Sequence, residues 1–336
     1  MTYRPTLSDV AKMAGVSVAT ASRALSNPDL VAESTRTAVR DAANSCGYQI
    51  NLVARSLRKQ RTNSILVLIP EIDNQFYPTI IKGLEQRAHN LGYSMILGLT
   101  SNNLLRENSY LEIVNSRRAD GMIVLDGGLD NLIERGIKFN VPTVQVLECL
   151  GGESLPTVRI DDRQVAALVV EHLVGLGHRR IAHISGSSNS LVATERIAGF
   201  QHAMAAAGCH VHSELIVNGG YTHDGGATAM LRLLDMNEPP TAVFCANDAS
   251  AMGAIRACRT RGLRVPQDIS IVGVDDIDEA ATNDPPLTTI HQPRYEIGVM
   301  AMDLLAGLIE TSNWKQKPVL VPINLIERGS TAPPRH

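Results

Sequence analysis

The residues able to do chemistry in this chain are binding groups rather than reacting ones. Asp73 and Phe76 in the first half, and Arg196, Tyr221, Asn247, Asp248, Asp275 and Asp276 in the second, stand just past apolar runs or in the segments that follow them. Carboxylates and a guanidinium bind neighbouring hydroxyls in pairs, and aromatic faces cover the apolar side of a sugar or stack on a base, so this set suits a polyhydroxylated ring. Each residue also has a plain structural role open to it: Arg196 as a solvated helix charge, Phe76 as core, Asp275 as a cap. Catalytic patterns are missing. Ser185-Gly186-Ser187 is not a G-x-S-x-G nucleophile elbow, and no phosphate loop of the G-x-x-x-x-G-K-[ST] form occurs. Cys46, Cys149, Cys209, Cys245 and Cys258 are odd in number and contain no C-x-x-C pair, which points to reduced thiols. His202, His210 and His212 lack the i, i+4 spacing of a helical metal site. The expectation is a protein without catalytic residues, metal or cofactor.

The elements that must hold these groups alternate. From Ser64 onward, apolar runs and helical patterns follow one another as in parallel βαβ units. Strands are expected at 64–70, 93–99, 121–126 and 142–147, and after Thr157-Val158-Arg159-Ile160 a second series at Ile181–Ser185, Leu215–Val217, Ala242–Cys245 and Ile269–Val274. Two lobes result, with ligand expected in the crevice beyond the carboxyl ends of the strands. Pro285–Gln292 and a last strand, Val319–Ile326, have no lobe of their own left to complete.

The N-terminus differs in kind. Thr6-Leu7-Ser8-Asp9 is a capping-box pattern, and Leu7, Val10, Ala11 and Ala14 form one apolar stripe stopped by Gly15. Ser17 caps a second helix with Ala21, Ala24 and Leu25 inward and Val18, Ala19, Ser22 and Arg23 outward, the face a major groove would meet. Val39, Ala42, Ala43 and Cys46 mark a third helix closed by Gly47. Asn51 then caps a segment, to Arg58, too short to be stable alone as a helix. Residues 1–62 hold nine Lys/Arg against four Asp/Glu, a net +5, whereas the remainder holds 22 against 30, a net −8. The basic end is the nucleic-acid end. No apolar run reaches the roughly 18 residues of a membrane span, and the polar N-terminus has no signal-peptide core, so a cytoplasmic protein without membrane contact is expected.

GVSVATASRALSNP, then STR, GY and N-x-x-A-R-S-L-R, resemble the head and hinge of the lactose-repressor (LacI/GalR) family, and the resemblance continues through Glu327-Arg328-Gly329-Ser330. It implies an all-α helix-turn-helix head with a hinge helix, followed by a periplasmic-binding-protein-like α/β core of two doubly wound parallel-sheet lobes. The implied domains are the head at 1–49, the hinge at 50–61, one lobe from 62–160 with 292–320, and the other from 161–291 with 321–336. By resemblance, Val18, Ala19 and Arg23 read bases; Thr6, Ser17, Thr20, Ser22 and Thr35 touch phosphates; Asn51, Ala54 and Leu57 belong to the DNA-contacting hinge, with Leu57 wedged into the minor groove. Arg196, Asn247, Asp248 and Asp275 sit where family members grip an effector, Phe76 and Tyr221 at ring-contacting positions, and Glu148 at the end of VLEC. Three positions depart from the family pattern: Ala21 is a smaller core residue than the usual Val, Ala32 lacks the hydroxyl that begins the third helix, and Ile50 replaces a Pro. PEIDNQFYPTIIKGLE and DPPLTTIHQPRYEIG resemble a nucleoside-responsive member most, but similar strings recur in sugar-responsive ones, so a sugar and a nucleoside stay open. The reading is a homodimeric repressor of a catabolic operon, binding a palindromic double-stranded DNA operator under control of a small effector. With about ten residues after the last strand there is no room for a tetramerising heptad helix. A sugar or nucleoside solute-binding protein would share the two lobes, but it would carry a signal peptide and no Thr6–Arg58 segment.

Overall fold

The computed structural model describes residues 5–48, 61–101, 103–125, 139–147, 155–188, 190–311 and 318–335. The chain divides into two compact units, Met1–Thr62 and Asn63–His336. The expected hinge residues Ile50, Asn51, Ala54 and Leu57, and also Glu148 and Cys149, lie outside the described residues.

In the first unit the local signals act as their chemistry requires. Helix α1 (Leu7–Met13) starts at Thr6, whose hydroxyl accepts from the Asp9 N–H while the Asp9 carboxylate accepts from the Thr6 N–H at 2.8 Å. Gly15, at φ +67°, turns the chain, and helix α2 (Val18–Ser26) begins on the Ser17 hydroxyl, which accepts from the Thr20 N–H at 3.1 Å. Helix α3 (Glu33–Cys46) ends on Gly47 in the left-handed conformation; its N-cap, Ala32, makes no side-chain capping bond. Val10, Ala11, Ala21, Ala24, Val39, Ala42 and Ala43 close the core, with Leu25 packed against it.

Among the described residues, the second unit contains two six-stranded sheets. The first runs through β1 (Ser64–Ile69), β2 (Ser94–Leu99), β3 (Gly121–Val124), β4 (Thr143–Val146) and β5 (Thr157–Arg159), with helices α4 (Tyr77–Asn90) and α5 (Leu104–Asn115) between its early strands. The second is built from β6 (Ile181–Ser185), β7 (Ile216–Asn218), β8 (Ala242–Cys245), β9 (Ser270–Asp275) and β10 (Thr288–His291). It is interleaved with α6 (Asp162–Gly175), α7 (Leu191–Ala206), α8 (His223–Leu234), α9 (Asp248–Thr260) and α10 (Asp278–Thr282). After β10, helix α11 (Arg294–Thr311) packs on α4, and β11 (Val319–Leu320) adds to the first sheet parallel to β5. Then β12 (Asn324–Ile326) adds to the second sheet antiparallel to β10. The strand orders are β11-β5-β4-β3-β1-β2 and β12-β10-β9-β8-β6-β7. Every pairing but β10–β12 is parallel, as buried, Val/Ile/Leu-rich strands joined by helices should be.

Three expectations change. The single last strand, Val319–Ile326, is two short strands in different sheets, because the chain changes sheet at 321–323. The Thr157–Arg159 segment, expected only as a boundary, is a strand of the first sheet, in register with Gln145–Val146. The strand near Leu215 starts one residue later, after a short 3-10 turn, Ser213–Leu215.

Candidate functional site

Each unit carries its own candidate site. On the head, α2 presents Val18, 47% exposed despite its apolar side chain, together with exposed Ala19 and Arg23. Ser22 and Thr20 are half-buried beside them, and the Ser17 and Thr20 hydroxyls bond each other at 2.8 Å. Arg23 has no ion-pair partner among the described residues. Thr6 is exposed at the start of α1, and Thr35 is half-buried in the first turn of α3. The burial of Ala21 and Ala24 on the opposite side fixes which face of α2 points outward.

In the core, the strand ends gather a polar cluster. Arg196, on α7, is 4% exposed; its Nε donates to Asp162 Oδ1 at 2.9 Å and its Nη1 to the Ala246 carbonyl. Asp162 is at the first position of α6 and is 3% exposed. Close approach of the two helices sets the pair: a Cβ on Gly199 would come within 2.8 Å of Arg163 Cα, so only glycine lets α7 lie this near α6. Asp275, at the end of β9, is 5% exposed, has φ +121°, and its Oδ1 accepts from Gln292 Nε2 at 2.8 Å. Gln292 Oε1 is buried without a partner among the described residues. A non-glycine residue with this backbone is strained, and such strain concentrates at functional sites.

Arg294 ties the two sheets. Its Nη1 donates to the Gln75 carbonyl, in the loop after β1, at 3.2 Å, and its Nη2 to the Asp276 carbonyl, after β9, at 2.9 Å. Phe76 is next to Gln75 and is 8% exposed within the main apolar cluster, edge-on to Tyr77. Asp73, in the same loop, is exposed. Tyr221 has φ +62°; its ring lies over Gly186, where a Cβ would sit 1.9 Å from the ring, and its hydroxyl is 3.3 Å from Ser190 Oγ.

Asn247 and Asp248 are close to this cluster but committed inside the protein. Asn247 caps α9: its Oδ1 accepts from the Ser250 N–H at 2.9 Å and its Nδ2 donates to the Tyr221 carbonyl at 3.0 Å. Asp248 is wholly buried, with Oδ1 accepting from the Thr289 hydroxyl at 2.6 Å and Oδ2 from the Ile277 N–H at 3.0 Å. Asp162, Gln292 and Arg294 escape the sequence reading, because the strands they follow, β5 and β10, are not among those read from the apolar runs. The first two complete the immediate surroundings of Arg196 and Asp275.

Burial dominates the electrostatics. It lifts the Asp275 carboxyl to about 7 against the pull of Arg196 and Arg294, and raises Asp248 well above the usual carboxylate range, with Asp275 and Asp276 adding to the effect. Burial also raises Asp162, outweighing its partner Arg196, whereas Arg196, opposed by the same burial, is held above its ordinary value by Asp162 and Asp275. Asp276 behaves oppositely: despite partial burial it is lowered, because Arg328 Nη2 at 2.6 Å and His291 Nδ1 at 2.8 Å donate to it.

A helix-turn-helix head carried on one chain with a core whose facing strand ends gather buried, ligand-type polar groups defines a class of ligand-responsive DNA-binding regulator. Residues 6–51 match the model for bacterial regulatory proteins of the lacI family, and residues 170–331 match that for the periplasmic binding protein-like domain. The chain is 39% identical to the HTH-type transcriptional repressor CytR of Escherichia coli (strain K12) over 97% of its own length and 96% of that protein. It is 35% identical to the repressor PurR of Photobacterium profundum over 97% and 98%. The structure of the lac repressor dimer bound to operator and the anti-inducer ONPF matches at a TM-score of 0.86 and 29% identity, covering 98% of this chain and 100% of that one. The regulator CelR in complex with cellobiose matches at 0.75 and 30%, covering 97% and 100%. The chain belongs to the LacI family of bacterial transcriptional regulators. Among the described residues no helix is long and apolar enough to cross a membrane, and no cluster of three His, Cys, Asp or Glu is arranged to hold a metal ion.

Proposed function

We propose that the protein is a homodimeric, cytoplasmic repressor of a catabolic operon, whose hold on a palindromic operator is set by a small sugar or nucleoside bound between the core lobes. The observation that carries this is the coexistence, in one chain, of an outward Val18-Ala19-Arg23 face and the buried Arg196–Asp162–Asp275–Gln292 cluster at the strand ends. Val18, Ala19 and Arg23 meet base edges in the major groove, while Thr6, Ser17, Thr20, Ser22 and Thr35 hold phosphates around them. One head contacts too few phosphates for operator-grade affinity, so two heads on half-sites about one helical turn apart are needed. The segment 50–61, with Asn51, Ala54 and Leu57, joins head to core and lies over the minor groove between the half-sites. Sheet membership supports lobes of 62–160 with 292–320 and 161–291 with 321–336, the chain crossing between them after β5, at Arg294 and again at 321–323.

Arg196, with its remaining donors, and Asp275, with its second oxygen, take paired hydroxyls. Phe76 and Tyr221 face the ring, Asp73 borders the entrance, and Asn247 and Asp248 hold the loops that carry Tyr221 and Asp275; Glu148 belongs to the effector-binding set by the family resemblance alone. Effector contacts to both sheets shift the lobes relative to each other, and the operator is released. The test is fluorescence anisotropy on a palindromic duplex, screened with nucleosides and sugars. The reading predicts that at least one compound lowers operator affinity about tenfold or more. Tight operator binding that no such compound alters would refute effector control.

A further inference from the structure

We infer that the effector site selects an uncharged hydroxylated ring over its phosphate ester, and that Asp162 sets this selectivity by neutralising Arg196. The inference rests on the effector reading above and narrows it. Arg196 is the guanidinium best placed to grip a ligand, and it arrives already paired: Asp162 Oδ1 is 2.9 Å from its Nε, with both side chains about 95% buried. Its charge is spent, and what it has left to give is N–H donors.

The other charges of the region are matched in the same way. Arg294 faces Asp275 and Asp278, and donates to two backbone carbonyls. Arg163 is paired with Glu195 at 2.5 Å, and Arg328 with Asp276 at 2.6 Å. Arg159 has a buried Nε with no hydrogen-bond partner among the described residues, yet its charge lies beside Asp162 and Glu195. Among the described residues, every cation of this region therefore has a carboxylate beside it.

The second observation is the excess of acceptors. Gln292 Nε2 is committed to Asp275 Oδ1, which turns the orphaned, buried Gln292 Oε1 and the Asp275 carboxylate into adjoining acceptors. Both call for O–H or N–H donors on the ligand, and both repel a phosphate. A buried acceptor without a donor costs stability, so a hydroxyl that supplies one is favoured.

The experiment is calorimetric titration of the full chain at pH 7.5 with adenosine, cytidine, uridine, ribose and glucose, each beside its phosphate ester (the 5′-monophosphates, ribose 5-phosphate and glucose 6-phosphate). At least one uncharged member should bind, with its ester at least about tenfold weaker. Asp162→Asn, which frees the charge of Arg196, should narrow that ratio by about tenfold, whereas a merely structural role for Asp162 would weaken parent and ester alike and overturn its assignment. An ester that binds as tightly as its parent, or more tightly, overturns the charge argument while leaving the effector reading intact. Binding of neither set, or binding that survives Arg196→Met unchanged, means instead that the effector reading is wrong.

Discussion

Replacing Arg196 by alanine strands a carboxylate. Asp162 is 3% exposed and its Oδ1 has Arg196 Nε, at 2.9 Å, as its charged partner. Breaking one half of a buried pair costs about 3–5 kcal/mol. A ceiling follows from proton uptake: neutralising a carboxyl of ordinary pKa at pH 7 takes about 4 kcal/mol, so the stranded Asp162 costs no more than that before it protonates. The same ceiling falls to about 1.5 kcal/mol at pH 5, because the unpaired group has a folded pKa raised above its unfolded one, and the penalty disappears as pH falls. Urea unfolding of the core transition is the assay, with wild type, Arg196→Ala, Asp162→Asn and the double variant forming a cycle. Arg196→Ala should lose about 4 kcal/mol at pH 7 and markedly less at pH 5, and adding Asp162→Asn should restore about 2 kcal/mol. Losses that add to within about 0.5 kcal/mol, at both pH values, would show that the two groups do not act as a pair.

Arg23→Ala, on the exposed face of α2, should weaken binding to the specific site by about 1–3 kcal/mol and relax base preference at one position, with non-specific binding little changed; competition anisotropy reads both. Ser17→Ala removes the hydroxyl that caps α2 at 3.1 Å and should cost the head about 1 kcal/mol in thermal unfolding, against near neutrality for Ser17→Asp. Asp275 has its folded pKa raised to about 7 from an ordinary 3.8, so the stability it contributes is present at low pH and is lost as pH rises to 7. The wild type should therefore lose up to about 1.4 kcal/mol per pH unit relative to Asp275→Asn across that window. Parallel stability curves for the two proteins would contradict the burial of an ionisable Asp275.

What the sequence reveals and what it hides divide along the range of the forces involved. Thr6 with Asp9, Ser17 with Thr20, and Gly15 and Gly47 are read correctly because a cap or a left-handed turn is decided within four residues. The parallel strands from Ser64 to Asp275 are legible from their apolar runs, to within one to two residues for most. Thr157–Arg159 is not legible as a strand because three residues carry no period, and its place in the first sheet is fixed by pairing with β4. The split of 319–326 has the same origin: only the two different partner strands show where one strand stops. At the site, Arg196 and Asp275 stand out by position after strands, but their partners depend on packing, since Asp162 is 34 residues from Arg196 and Gln292 17 residues from Asp275. Asn247 is the instructive case. With Ser250 three residues on, it fits a capping box, and the cap uses its Oδ1 while Tyr221 takes its amide.

Selection of duplexes from a random DNA pool by the full-length protein tests the central claim most directly. Enrichment of a two-fold palindrome is expected, with half-sites about one helical turn apart, relaxed at one position of each half-site by Arg23→Ala and weakened by the effector found in the screen. Recovery of no common sequence, or of a single unpaired half-site bound as tightly as any palindrome, would contradict it.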